Sequence, residues 1–384
     1  MHYRPLQAAL ACLLTASVAT AAPLEDQPQA PADFTNNVVF RPGPEYTSWG
    51  TIYGRSLQIS DGSLLVTWEN YPPEPPLATF PLWKSDDGGV SWYSYRNVTD
   101  DVHGWGLRYQ PHLYMLKNDI GNFPAGTILL SGMAVPADLS EASLDIYAST
   151  DDGSTWEFVS HVAYAPGPET VTNGNKAVWE PFFLEHEGRL ICYYSDQRDE
   201  NHAQKLVHVI TDDLKQWSDL VDDEASSVYG HRPGMTTVAR IGSTGNYIMT
   251  YEVCAGTESG CPAYYKIAPS PYEFASVEGQ LVYANATGER PGSAPFVLWA
   301  ETKCGSGVIL VSGAQDDSLY VNDAAARPDG WKRIDVGQQS SHSRCMEVID
   351  VQGQKKLLLT SAGHMWSGAD NYVSVGVVDI PTYA

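Results

Sequence analysis

Two glutamates stand where a carboxylate is costly. Glu180 lies inside AVWEPFFLEHEGRLICYYSD (residues 177–196), between Trp179 and the Pro181-Phe182-Phe183 run, and Glu252 ends an apolar stretch in NYIMTYEVC (residues 246–254). Burial disfavours the charged form of a carboxyl and raises its pKa. Two such groups facing one dry cleft supply what glycosidic-bond cleavage requires, one protonated acid and one ionised nucleophile or base. Either glutamate alone reads equally well as a buried residue satisfied by hydrogen bonds. Other chemistries lack their residues: there is no H-E-x-x-H, P-loop, G-x-S-x-G or Cys/His cluster at zinc spacing, so the sequence implies no cofactor and no metal.

The elements that position these residues read as all-β. Short runs rich in Val, Ile, Tyr and Trp are cut by Gly, Asp and Pro, and no convincing amphipathic helix interrupts them. Ser85–Trp92 and Ser149–Trp156 both fit S-x-D-x-G-x-[ST]-W, the Asp-box hairpin. In it Asp87 and Asp151 accept turn N–H groups, Gly89 and Gly153 supply positive φ, and the Trp packs into the sheet. A decayed third copy, Ile210–Trp217, keeps Asp212 and Trp217. Innermost strands start near Arg55, Tyr109, Val178, His231, Arg290 and Ser341, at intervals of roughly 50–70 residues. That spacing predicts a six-bladed β-propeller forming a single catalytic domain over residues 22–384, with five blades the competing count. The last unit is one strand short, and Asn37-Val38-Val39-Phe40 is expected to complete it, closing the ring by pairing N- and C-terminal strands.

Residues 1–21 read as a secretory signal peptide: Arg4, an apolar run from Ala8 to Val18, then small residues. The mature chain is therefore expected to be secreted and extracellular. Asp and Glu number 46 against 23 Lys and Arg, for a net charge of -23, which argues against nucleic acid or anionic membranes as partners. A monomer acting on a neutral substrate is the expectation. Asn97-Val98-Thr99 and Asn285-Ala286-Thr287 are N-glycosylation sequons. Cys254 and Cys261 flank a short loop and are expected to pair, leaving Cys304 with Cys345 and Cys192 as a buried inert thiol.

YGRSLQISDGSLLVTWE, the two Asp-boxes, NKAVWEPFF and TYEVC together make the chain similar to glycoside hydrolase family 93, secreted exo-α-1,5-L-arabinanases on a sialidase-related six-bladed propeller. The resemblance spans nearly the whole mature chain. It implies a retaining mechanism that releases arabinobiose from the non-reducing end of linear arabinan, with Glu180 as acid/base and Glu252 as nucleophile. Strand-head and loop positions add sugar-binding candidates: Arg55, Trp105, Tyr109, His112, Trp179, His231, Arg232, Tyr251 and His342. A sialidase is the sharp alternative, because Arg55, Arg232, Arg290 and Arg344 could converge on a substrate carboxylate. Such an enzyme relies on a Tyr nucleophile, whereas this chain offers a second strand-borne Glu. A non-catalytic glycan-binding propeller would repeat equivalent sites in several blades; here unlike features concentrate in units three and four.

Overall fold

The computed structural model describes residues 32–167, 175–255, 260–302, 305–323 and 325–382. The leader at 1–21 and Cys304 lie outside them. Six four-stranded antiparallel sheets are present, which settles the blade count at six. Their innermost strands are Thr51–Gln58, Leu107–Met115, Val178–His186, Arg232–Arg240, Phe296–Glu301 and Cys345–Val351, in blades one to six. The sixth sheet is completed by Phe34–Phe40, which pairs antiparallel with Val373–Val378 as expected. Apolar faces of neighbouring blades meet to make the core: Leu65, Phe80 and Leu82 of blade one pack with Leu107, Leu130 and Tyr147 of blade two, and Val66 and Trp68 with Ile349 and Leu358 of blade six.

The outer hairpins repeat one hydrogen-bond set. Ser85 Oγ donates to Asp87 Oδ1 (2.8 Å), the Gly89 and Ser91 N–H groups donate to Ser85 Oγ and Asp87 Oδ1 (both 2.9 Å), and Trp92 Nε1 donates to the Gly89 carbonyl (3.0 Å). Ser149, Gly153, Thr155 and Trp156 make the same bonds around Asp151. In the third hairpin the acceptor is Asp213, not Asp212. Asp213 Oδ1 takes the Lys215 and Gln216 N–H groups (both 2.7 Å), and Leu214 adopts φ 62° where the full motif has glycine. The turn is one residue tighter than the alignment on Trp217 suggested.

Cys254 and Cys261 are bonded. The second expected bond is not formed, because Cys345 is a free, buried thiol. Cys345 opens the innermost strand of blade six and receives the Ser56 hydroxyl (3.7 Å). The strand ends flanking Cys304, at Glu301 and Gly307, lie at the opposite end of blade five.

One backbone feature recurs at the head of every innermost strand, a non-glycine residue in left-handed conformation. These are Tyr53, Gln110, Glu180, Met235, Ala294 and Ser343, with φ between 45° and 63°. In blades one to four it coincides with a bulge, as where Trp179 pairs with Ser195 but Phe182 pairs with Tyr193. A bulge of this type re-aims a side chain and frees a backbone N–H.

Candidate active site

Glu180 is itself one of the bulge residues. Its Oε2 accepts the Ser195 hydroxyl and the backbone N–H of Met235, the bulge residue of the next blade (both 2.7 Å). Glu252 reaches the same place from a different element. It lies on the second strand of blade four, Tyr247–Cys254, opposite Gly234, and not on an innermost strand at a position matching Glu180. Its Oε2 accepts the Ser293 hydroxyl (3.0 Å) and the Ala294 N–H (2.6 Å), again the left-handed residue of the next blade. Each carboxylate thus has one oxygen pinned by a serine and a backbone N–H.

Gly234 lies between the two carboxylates. A Cβ added there would sit 3.5 Å from Glu180 Oε2 and 3.8 Å from Glu252 Oε1, so these oxygens are separated by no more than the sum of those distances. Crowding by protein raises both carboxyl pKa values, with desolvation the main cause, and the Glu180 charge pushes Glu252 further up. Arg232 and Arg55 oppose the rise at Glu180. Both side chains keep partial contact with solvent. Two interacting carboxyls of this kind share a proton over a range of pH, which provides an acid and a base in one site.

No family model and no curated protein sequence matches the chain, whereas solved structures do. An α-L-arabinofuranosidase from Fusarium graminearum, in complex with an iminosugar inhibitor, shares 40% identity over 91% of this chain and 98% of its own, with a TM-score of 0.87. A Penicillium chrysogenum α-L-arabinanase complexed with arabinobiose shares 40% over 91% and 99%, with a TM-score of 0.86. The Fusarium enzyme, described as a GH93 α-L-arabinofuranosidase, is also solved with arabinobiose (40% over 90% and 98%, TM-score 0.86). The chain belongs to glycoside hydrolase family 93. A Streptococcus pneumoniae sialidase, 9% identical with a TM-score of 0.57, shares the fold alone.

In this family-93 chain Arg55 and Arg344 are spent on acceptors of the protein itself and are not free to clamp a substrate carboxylate. Arg55 is buried and spends its guanidinium on the Gly54 and Ser343 carbonyls (both 2.9 Å) and the Ser343 hydroxyl (2.8 Å), stacked over Tyr53. Arg344 donates to the carbonyls of Asp317, Ser318 and Gln338 (each 2.8 Å). Tyr53 lies near Glu180 and Arg55, but burial drives its phenol pKa upward and keeps it protonated. Arg232 donates to Gln204 Oε1 (2.8 Å), while its charge acts on both glutamates.

The other sequence candidates divide. Tyr109 is half-buried beside Tyr71 (ring centroids 6.3 Å), which meets Trp49 edge-on at 5.6 Å, forming an aromatic wall. His342 is buried near Tyr53 with its pKa pushed down to about 3 by burial, hence neutral. His112 is packed against Phe182 and Phe183 with neither ring nitrogen hydrogen-bonded and is also held neutral. Trp179 is buried in the core between blades two and three. Tyr251, on the face of its strand opposite to Glu252, stacks on Tyr264 and points its hydroxyl at Glu224. His231 is bonded to Ser226 Oγ (2.8 Å). Trp105 stacks on His103 and packs on the core between blades one and two.

Sequence reasoning missed Glu69. It is buried on the second strand of blade one, opposite Ile52, and accepts the Gln110 N–H (2.9 Å) and the Tyr71 hydroxyl (2.7 Å). Burial pushes its pKa up to about 7. It is the counterpart of Glu252, and a signal was present: Thr67-Trp68-Glu69 and Thr250-Tyr251-Glu252 share the pattern Thr-aromatic-Glu at the end of a second strand.

Proposed function

We propose that this chain is a secreted, retaining, exo-acting hydrolase of linear α-1,5-L-arabinan that releases arabinobiose from the non-reducing end. The observation that carries the reading is the convergence of Glu180 and Glu252 over Gly234 in a chain 40% identical to an arabinanase solved with arabinobiose. Glu252 acts as nucleophile on the anomeric carbon while Glu180 protonates the departing glycosidic oxygen; the Glu180 charge favours a proton on Glu252 in the free chain, so this assignment requires the pair's shared proton to sit on Glu180 once substrate is bound. Glu180, now ionised, takes a proton from water, whose oxygen displaces Glu252 and regenerates both groups. Retaining enzymes place their carboxyls about 5–5.5 Å apart and inverting ones about 6.5–9.5 Å; the upper limit set at Gly234 admits the retaining separation.

Arg232 lies where it can steady the ionised member of the pair, and the Trp49–Tyr71–Tyr109 wall offers ring faces to furanose C–H groups. The leader at 1–21 and glycans on Asn97 and Asn285, both exposed, accompany the secretory reading. Incubation with debranched arabinan, an aryl arabinofuranoside and a sialyl substrate, followed by product sizing, tests it. Arabinobiose from arabinan alone supports the proposal; release of free arabinose or sialic acid overturns it.

A further inference from the structure

We propose that His103, Asp145 and His161 form a binding site for one first-row divalent transition metal, zinc above all, that clamps the connection from blade one to blade two. Sequence spacing gave no hint of it, since the ligands come from an interblade loop, the third strand and the outermost strand of blade two. One ligand atom from each lies within 4.8 Å of the others. His103 Nε2 is 3.1 Å from Asp145 Oδ2, and His161 Nδ1 is 2.8 Å from Asp145 Oδ1. Tetrahedral zinc with ligands at about 2.0–2.1 Å holds donor atoms a little over 3 Å apart, so only small adjustments are required.

The decisive feature is charge. Asp145 is wholly buried, and among the described residues no lysine or arginine pairs with it. Its other partner is the neutral Ser143 hydroxyl, which donates to Oδ1 (2.6 Å) and lies 3.3 Å from His161 Nδ1. A buried carboxylate needs a compensating cation. The other buried His–Asp pair among the described residues, His208 with Asp223, has an ammonium close by: Lys266 donates to the Asp223 backbone carbonyl (2.7 Å), pairs with Glu224 (2.7 Å), and its charge also acts on the Asp223 carboxylate. At Asp145 two imidazoles converge on the carboxylate's two oxygens, as they do around a metal ion.

The rings are held in place for ligation. His103 stacks on Trp105 at 4.3 Å, and its backbone N–H is fixed by Asp100 Oδ1 (2.8 Å). His161 rests against Phe158 at 4.8 Å. A strand irregularity between Leu144 and Asp145 brings His161 opposite the carboxylate. The His161 side chain is 46% exposed, leaving an entry path and a position for water. Two imidazoles and one carboxylate select zinc, cobalt or nickel over calcium and magnesium, which prefer all-oxygen sets. The net charge of -23 further favours cation uptake.

Calorimetric titration of the chelator-treated full chain with Zn2+, Ca2+ and Mg2+, with thermal unfolding followed in parallel, tests the site. The expected result is one zinc per chain, a rise of several degrees in Tm, and no response to calcium or magnesium. His161→Ala, at a half-exposed position, is expected to fold with the melting temperature of the metal-free chain and to lose the zinc response. Co2+ should give the wild type a ligand-field absorption spectrum that His103→Gln lacks. Absence of stoichiometric zinc binding would show a hydrogen-bonded triad only and overturn the proposal, as would undiminished binding by His161→Ala.

Discussion

Glu180 occupies an apolar run because its backbone turns it out of that run. Left-handed φ at the bulge aims the carboxyl at the Ser195 hydroxyl on the second strand of its own blade and at the Met235 N–H of the next blade. The same requirement makes Gly234 informative: it is the one position opposite Glu252 from which a methyl group would project between the carboxylates. Gly234→Ala is therefore expected to lower arabinan hydrolysis by about 100-fold or more with a small change in Tm, since Gly234 is not in the left-handed region, the tightest contact of the new methyl (3.0 Å) is with the amide end of Gln204, and displacement at the reacting centre is costly. Glu180→Gln and Glu252→Gln keep the size and acceptor oxygen of each side chain. Each should cost about 1,000-fold or more in hydrolysis while leaving thermal unfolding nearly unchanged. Retained turnover in either variant would remove that residue from the mechanism. Both glutamates could be read from sequence because each interrupts a hydrophobic strand; Glu69 follows the same rule at the end of VTWEN, where it resembles a polar strand terminus.

At the scale of elements, strands and hairpins were readable and bulges were not. Period-2 patterning and the Ser-Asp-Gly-Trp repeats mark strands and turns directly. The six left-handed residues are Tyr, Gln, Glu, Met, Ala and Ser, none of them the Gly or Asn that advertises left-handed backbone, so nothing local announced them. Their conformation is imposed by ring closure and by acceptors on the preceding blade, such as Glu69 for Gln110 and Glu252 for Ala294. The Cys345 expectation failed similarly, because pairing by elimination says nothing of where the fold buries a thiol, and Cys345 is buried at the head of an innermost strand. The closing strand is where element and ring stability meet. Val39 is buried, and Phe40 stacks on Trp68 at 5.1 Å. Deleting residues up to Phe40 should expose the edge at Val373–Val378 and lower Tm by about 5 °C or more. An unchanged melting curve would show that a three-stranded sixth blade suffices.

The whole molecule carries its acidity inside as well as outside, and that makes stability depend on pH. Glu69 is buried with a folded pKa near 7, above the ordinary value of 4.5. A carboxyl raised in this way contributes stability below its unfolded pKa, and that contribution is lost as pH rises through the folded value. The protein should accordingly be most resistant to unfolding near pH 4–5 and weaken toward pH 8, with Glu69 alone accounting for at most about 3 kcal/mol. Glu69→Gln, which preserves an acceptor for Gln110, should flatten the curve between those limits; a profile identical to wild type would contradict the assignment. Six blades followed from repeat spacing, but the His–Asp cluster at Asp145 did not, since only the folded ring brings residues 103, 145 and 161 together. What the assembled molecule finally delivers is a sugar of defined anomeric configuration. The most direct test of the account is azide rescue of Glu180→Ala and Glu252→Ala on an aryl α-arabinobioside, with the glycosyl azide read by NMR. The retained α-azide from Glu180→Ala and the inverted β-azide from Glu252→Ala are predicted; the opposite pattern, or rescue of neither variant, would contradict it.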